Sequence, residues 1–272
     1  MEQQIQVIQQ ADVLAAINSS EIDSQVATAH KFPRDVEQAL KKIEMLACVD
    51  EETAADCFYV LHRNGAAGDT TIEGLSVRMA EIIASCWGNL RVQARIINND
   101  GKYITAQGVC HDLESNYAVS KEVRRRITDR SGRTYSEDMQ VVTGNAACAI
   151  AMRNAVLAVV PKAVTNAIVK RVKKIAMGAA LDVPVARQQM INYFARLGVT
   201  VEQLCAYLQV ASVEEITKEH IFTMRATAQA IKEGTTTVRE TFVVPAQQAS
   251  DADKAKKAAE DAKARAEKAA KK

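Results

Sequence analysis

The sequence predicts an α+β protein in which an antiparallel three-stranded β-meander packs against helices, followed by a small C-terminal helical module and a disordered tail. Three segments rich in β-forming residues, 90–97, 103–112 and 117–126, are separated by short turns. Apolar residues recur at helical spacing before and after these segments. Residues 246–272 are mostly Ala, Lys, Gln and acidic residues, a composition that cannot build a core and therefore predicts disorder.

The chain begins with a polar, weakly periodic segment. Residues 1–32 predict a flexible N-terminal arm with a short helix over Asp12–Ile17 at most. Pro33 suits the first turn of a helix and marks the start of the predicted core, residues 33–178. Apolar residues then recur at helical spacing to about Val49, which predicts an amphipathic helix.

A short strand and a loop are predicted next. Residues 58–61 (FYVL) form an apolar strand candidate, and residues 64–69 are rich in Gly, Ala, Asn and Asp, which indicates a flexible loop. The loop lacks the GxxxxGK[ST] pattern that cradles nucleotide phosphates. We therefore expect no ATP site there.

Helices are predicted on both sides of the meander. The first, Gly74–Trp87, is stopped by a Gly-Asn pair, and an Asp-Gly pair at 100–101 is typical of a hairpin turn between the first two strands. After a polar loop at 128–139, a helix crowded with small residues is predicted over Val141–Val160. A proline then separates it from another helix, Lys162–Met177.

Strand alternation predicts which side chains share a face of the meander. Side chains of successive residues point to opposite faces of a sheet. On the first strand, Leu90, Val92, Ala94 and Ile96 share one face and Arg91, Gln93 and Arg95 share the other. On the third strand, Arg124 and Arg126 lie opposite Val119 and Val123. If helices cover one face, as is common in antiparallel sheets, the arginines lie on the open face.

The C-terminal part divides into a helical module and a charged tail. Residues 186–243 predict three helices, with Thr200 as the N-cap of the second. The tail, 246–272, carries eight basic and five acidic residues, so the remainder of this chain of net charge +2 is close to neutral. Overall charge therefore does not indicate a partner, whereas clusters of charge on one surface would.

Cysteine and histidine spacing predicts neither a metal centre nor a disulfide framework. The six cysteines include no CxxC pair, and the four histidines have no ligand spacing. We therefore expect no cofactor. The sequence contains no nucleophile motif, so we do not expect an enzyme. No apolar run reaches the length of a membrane span, and the N-terminus lacks a secretory signal, which favours the cytoplasm.

One pair of acidic residues leaves an enzymatic alternative open. Asp112 and Glu114 lie between the second and third strands, where two carboxylates could hold Mg²⁺ in a metal-dependent nuclease. A polar turn explains the same residues without any metal, and we favour that explanation.

Two basic clusters give the strongest functional indication. Six basic residues lie between Lys121 and Arg133 against two acids, and five lie between Lys162 and Lys174 with no acid. Such clusters offer charge-assisted hydrogen bonds to phosphates. A solvated surface explains either cluster alone, but two clusters together with Arg91 and Arg95, arranged around one sheet, favour nucleic acid. The candidate DNA-binding residues are Arg91, Arg95, Arg124, Arg125, Arg126, Arg130, Arg133, Lys162, Lys170, Arg171, Lys173 and Lys174.

Four long stretches of the chain are distinctive: IEGLSVRMAEIIASCWGNLRVQARI, TAQGVCHDLESN, SKEVRRRITDRSGRTYSEDM and VTGNAACAIAMRNAVLAVVPKA. They resemble a group of phage and prophage single-strand annealing proteins allied to RecT and Redβ, and the resemblance extends over residues 21–243. It implies an oligomer, a ring or a helical filament, that holds single-stranded DNA along a basic groove and anneals it without ATP. It also implies that the C-terminal module meets single-strand-binding protein or an exonuclease.

The sequence therefore predicts an ATP-independent, homo-oligomeric, single-strand annealing protein acting in phage recombination in a bacterial cytoplasm. Its partners would be single-stranded DNA and the annealed duplex intermediate. The main alternative is a phage structural or adaptor protein whose basic patches bind acidic proteins. The metal-dependent nuclease is the third possibility.

Overall fold

The computed structural model describes residues 2–65, 68–129, 131–178 and 182–242. The predicted tail, 246–272, and the candidate residue Arg130 lie outside the described residues. The helices are α1 (Glu2–Lys31), α2 (Val36–Ala47), α3 (Glu51–Asp56), α4 (Val77–Trp87), α5 (Glu137–Val159), α6 (Lys162–Ala176), α7 (Val183–Arg196), α8 (Val201–Leu208), α9 (Lys218–Lys232) and α10 (Val238–Thr241). The strands are β1 (Phe58–Gly65), β2 (Gly68–Leu75), β3 (Leu90–Asn99), β4 (Tyr103–Asp112) and β5 (Tyr117–Arg126).

The predicted three-stranded meander and the α+β class are confirmed. Strands β3, β4 and β5 form an antiparallel sheet in that order, with β4 in the centre. The carboxylate of Asp100 shapes the first turn by accepting hydrogen bonds from the amides of Lys102 (2.9 Å) and Tyr103 (2.6 Å). Gly101 adopts a positive φ of 79°, a conformation that Gly adopts at little cost.

One face of this sheet lies directly on α5. Every second residue of β4, from Ile104 to Asp112, is buried. At Gly108 the strand comes so close to the helix that an added Cβ would overlap the backbone of Ala151. The small residues predicted for α5 therefore serve close helix–sheet packing, with Ala147 and Ala151 fully buried against Ala106.

Among the described residues, α5 is the one helix that is long and apolar enough to span a membrane, by length and composition alone. The central helix of a soluble protein has the same properties. In this structure α5 lies against the sheet along β4 and β5, and it carries Arg153 at a buried position.

Residues 64, 65, 68 and 69 of the predicted loop belong to a first hairpin, whereas residues 66 and 67 lie outside the described residues. Strand β1 extends beyond the predicted 58–61 to Gly65 and pairs with β2, so the expectation of a helix from Gly74 is wrong. Helix α4 begins at Val77, after Ser76, whose hydroxyl accepts a hydrogen bond from the Met79 amide at 3.2 Å. Gly, Asp and Glu, residues that are depleted in strands, make up half of β2 (GDTTIEGL), so the sequence did not predict this strand.

The N-terminal segment forms one long helix, α1, rather than the short helix predicted over Asp12–Ile17. Arg34, just after α1, attaches this part of the chain to the sheet. Its guanidinium donates to Asp112 Oδ2 (2.8 Å) and Glu114 Oε1 (2.9 Å), and it lies 5.0 Å from the centre of the Trp87 ring.

The C-terminal helices form a second apolar core that shares α9 with the first. Phe194 and Leu204 are buried in the second core, whereas Phe222 of α9 lies in the main core, where its ring meets that of Phe58 edge-on at 5.5 Å. The carboxylate of Glu233, after α9, accepts a hydrogen bond from the Val77 amide at 2.8 Å. The C-terminal helical segment is thus joined to the core by packing and by a helix cap.

Candidate nucleic-acid interface

The face of the sheet opposite α5 carries four arginines. The register pairs Arg91 with His111 and Arg95 with Gln107 across β3 and β4, and pairs Thr105 with Arg124 across β4 and β5. Directly paired residues share a face, and β4 residues of this parity are not buried, so these arginines lie on the open face. Arg126 has the same parity on β5. Among the residues of β3–β5 on this face, Glu122 is the one acid.

Neighbouring polar groups hold each of these guanidinium groups in place. Arg95 donates twice to Gln107 Oε1, at 2.9 and 3.1 Å. Arg124 pairs with Asp100 at 3.0 Å and lies 4.0 Å from the centre of the Tyr103 ring. The amides of Lys102 and Tyr103, with a smaller contribution from Arg124, hold the pKa of Asp100 below its usual value.

The ends of the row are fixed in the same manner. Arg91 donates to Gln25 of α1 at 2.8 Å, which places α1 beside the open face. Arg126 donates to Thr128 Oγ1 (2.6 Å) and to the Asp129 carbonyl oxygen (2.8 Å). Arg91 is half-buried, and the other three side chains are exposed while anchored, so the row presents fixed positive charge to solvent.

Two other candidates near the sheet occupy different positions. Arg125 lies on the helix-covered face, where its side chain is half-buried and donates to the Thr235 carbonyl oxygen at 3.3 Å. Arg133 lies in the exposed loop after β5 and pairs with Asp129 at 3.4 Å. Arg125 therefore connects the sheet to the C-terminal segment and does not belong to the open face.

The second predicted basic cluster lies elsewhere. Helix α6 packs against α2 and α3, in the helical layer on the covered side of the sheet. Arg171 pairs with Glu44 at 3.2 Å and Lys173 pairs with Glu73 at 2.7 Å, whereas Lys170 and Lys174 are exposed. The structure thus separates the two basic clusters that the sequence placed around one surface.

The remaining α6 candidate, Lys162, lines a cavity of about 790 Å³ between the β1–β2 hairpin, β5, α5 and α6. Two further cations line it, Lys121 of β5 and Arg153 of α5. Glu73, its one acidic lining residue, is the partner of Lys173. The cavity is therefore a second electropositive site on the molecule.

Arg153 was not a candidate in the sequence. Its guanidinium lies 4.6 Å from the centre of the Tyr59 ring and 3.9 Å from a Glu233 oxygen, which is too long for a hydrogen bond. Burial raises the pKa of Glu233, and this effect outweighs the hydrogen bonds from Gln229 and Val77 and the charge of Arg153, which lower it. The sequence does mark this position as unusual, because Arg153 is the one charged residue between Met139 and Pro161, in a helix of small and apolar residues.

The two acids of the nuclease alternative, Asp112 and Glu114, are both held by Arg34. Burial opposes the ionisation of Asp112, but the hydrogen bond from Arg34 and the Glu114 amide outweigh it and lower its pKa. Glu114 also accepts a hydrogen bond from Asn89 at 2.6 Å. Among the described residues no three His, Cys, Asp or Glu side chains assemble into a metal-ligand set. The ion pair with Arg34 gives these two acids a structural role.

Comparisons of the chain with protein-family models, with curated proteins and with solved structures gave no match. The resemblance to annealing proteins rests on the sequence motifs alone.

Proposed function

We propose that this protein binds single-stranded DNA and anneals it to a complementary strand without ATP, as an oligomer in phage homologous recombination. The observation that carries the proposal is the row of Arg91, Arg95, Arg124 and Arg126 on the open face of the sheet, with a single acid among them. Guanidinium groups that are already held in position lose little side-chain entropy when they bind phosphates. Annealing makes and breaks no covalent bond, so binding and presentation of the strand suffice.

The contacts of the row fit binding without sequence preference. Phosphate contacts from Arg position a strand but carry no sequence information. Among the described residues of this face, Tyr103 is the one Phe, Tyr or Trp, and its ring lies against Arg124. Affinity would therefore come chiefly from phosphate neutralisation and counterion release, which make binding depend steeply on salt.

Self-association is supported by exposed apolar side chains at the start of α5 and at the edge strand β3. Val141 and Val142 are 62% and 59% exposed, and Met139 and Ile96 are also exposed. Exposed apolar side chains grouped in this manner are typical of protein–protein contact surfaces. The proposal also implies a bacterial cytoplasm, where the six free cysteines would stay reduced. Single-strand-binding protein or an exonuclease remains the proposed partner of the C-terminal helices.

Salt-dependent binding to a labelled oligonucleotide tests the proposal. Four phosphate contacts predict a slope of about −3 for log K against log salt concentration, since single strands give roughly −0.7 per contact. The double variant Arg95→Gln/Arg124→Gln should reduce the magnitude of the slope by about 1.4. A matched control, Lys41→Gln/Lys42→Gln, removes two exposed charges from α2 and should leave the slope unchanged.

Two outcomes would refute the proposal. Oligonucleotide binding that does not respond to salt would exclude a phosphate-contact mechanism. Binding of acidic proteins without any binding of oligonucleotide would favour the adaptor alternative.

A further inference from the structure

The cavity beside β5 combines positive charge with an apolar interior. Its volume of about 790 Å³ lies within the roughly 300–1,000 Å³ of pockets that enclose small organic molecules. The lining cations Lys121, Arg153 and Lys162 and the lining acid Glu73 sum to a formal charge of 3 − 1 = +2. Glu73 is paired with Lys173 and Arg153 lies 3.9 Å from Glu233, so Lys121 and Lys162 are the lining cations that would attract an anionic group.

Lys121 and Lys162 are exposed, whereas Arg153 is only 6% exposed. Lys162 is the first residue of α6, and the N-cap Pro161 offers no side-chain acceptor to the first-turn amides of that helix. An anion near Lys162 could accept hydrogen bonds from these amides.

Arg153 adds positive charge at the buried end of the cavity. Its Nη1 lies 3.9 Å from Glu233 Oε2, and neither atom has a hydrogen-bond partner among the described residues.

The remaining lining suits a flat heterocycle. Leu157, Val160 and Val169 provide apolar surface. The amide of Asn166 can both donate and accept hydrogen bonds, and the Asn154 amide, whose oxygen accepts from Arg153 at 3.3 Å, can donate. A nucleotide matches this combination, since it joins an anionic phosphate to a base with one polar edge and two apolar faces.

We infer that this cavity takes one unpaired nucleotide of a bound single strand, with its phosphate near Lys121 and Lys162 and its base against Leu157 and Val169. The inference rests on the proposed function. It assigns to the covered side of the sheet a contact with a base, in addition to the phosphate contacts of the arginine row. A base within a duplex must first unpair and unstack, so the cavity would favour single strands over duplex.

A comparison of two ligands and three proteins tests the inference. The ligands are an oligothymidine and an abasic deoxyribose-phosphate oligomer of equal length, with equal phosphate charge. Ala158→Phe adds a ring at an exposed wall position of the cavity, and Ala167→Phe makes the same change at an exposed position of α6 that does not line the cavity. Thermal unfolding followed by circular dichroism establishes that each variant is folded.

The wild type should bind the oligothymidine about fivefold or more tightly than the abasic oligomer, the effect typical of one stacked base. Ala158→Phe should bind the two oligomers equally, and Ala167→Phe should retain the preference. An equal preference in all three proteins, or none in the wild type, would overturn the inference and leave the proposed function intact. If no protein bound either oligomer, the proposed function would fail and the inference with it.

Discussion

Replacement of Gly108 by Ala should destabilise the protein, because β4 approaches α5 most closely there. The added Cβ would lie 2.5 Å from the Met152 amide nitrogen and closer still to the carbonyl group of Ala151. Carbon atoms in contact are normally about 3.5–4.0 Å apart, so strand and helix would have to separate by roughly 1 Å. Neither neighbour can rotate away, since both are backbone atoms in the middle of a helix.

The expected loss of stability follows from two opposing effects. Overpacking of a core costs about 1–3 kcal/mol, and a clash with backbone belongs at the upper end. In the opposite direction, replacing Gly by Ala stabilises a protein by about 0.5–1 kcal/mol, because Ala lowers the conformational entropy of the unfolded chain. The net change in the free energy of unfolding should be a loss of about 2 kcal/mol.

Gly144 provides a matched control in α5 itself. A Cβ there would lie 3.5 Å from Ile96 Cδ1, an ordinary contact, and Ala favours helix over Gly by about 1 kcal/mol. Urea unfolding followed by circular dichroism should therefore show Gly144→Ala equal to or more stable than the wild type, and Gly108→Ala less stable at a similar dependence on urea. A Gly108→Ala protein within 0.5 kcal/mol of the wild type would refute the packing argument.

Two further predictions concern the connections between parts of the fold. Arg34→Met should lower the free energy of unfolding at pH 7 by about 3 kcal/mol, since it leaves the largely buried Asp112 carboxylate without its cation. The pKa of Asp112 is lowered in the folded state, so its contribution to the free energy of unfolding is present above about pH 4 and is lost as the pH falls through the folded pKa. Urea titrations from neutral to acid pH should therefore show a smaller loss of stability for the variant than for the wild type. Phe222→Ala should cost about 3–5 kcal/mol and keep a single unfolding transition, because this α9 ring packs on Phe58 in the main core. Two separate transitions by circular dichroism and Trp87 fluorescence would instead show that the C-terminal helices unfold on their own.

The sequence was sufficient for the meander because its signals are local. Alternation of side chains, an Asp-Gly turn and β-forming residues gave strand bounds that the structure confirms over 103–112 and 117–126. The same parity placed Arg91, Arg95, Arg124 and Arg126 together on one face, and strand register brings them there. Strand parity was decisive because a register shift of one residue would move every side chain of a strand to the opposite face of the sheet.

The β1–β2 hairpin is as local as the meander, but its strand β2 carries few β-forming residues and its Gly-rich middle resembles a loop. Other features depended on contacts between distant segments, which no single stretch of sequence shows. The role of Asp112 and Glu114 was decided by Arg34, about eighty residues earlier in the chain. The cavity collects Lys121, Arg153 and Lys162 from three elements. The sequence by itself thus determined the sheet and the open arginine face. Only the tertiary structure showed that the α6 lysines lie on the covered side of the sheet and that Lys162 lines a cavity. The packing of α6 on α2 and α3 fixes which surface these lysines occupy, and no local pattern in α6 records that packing.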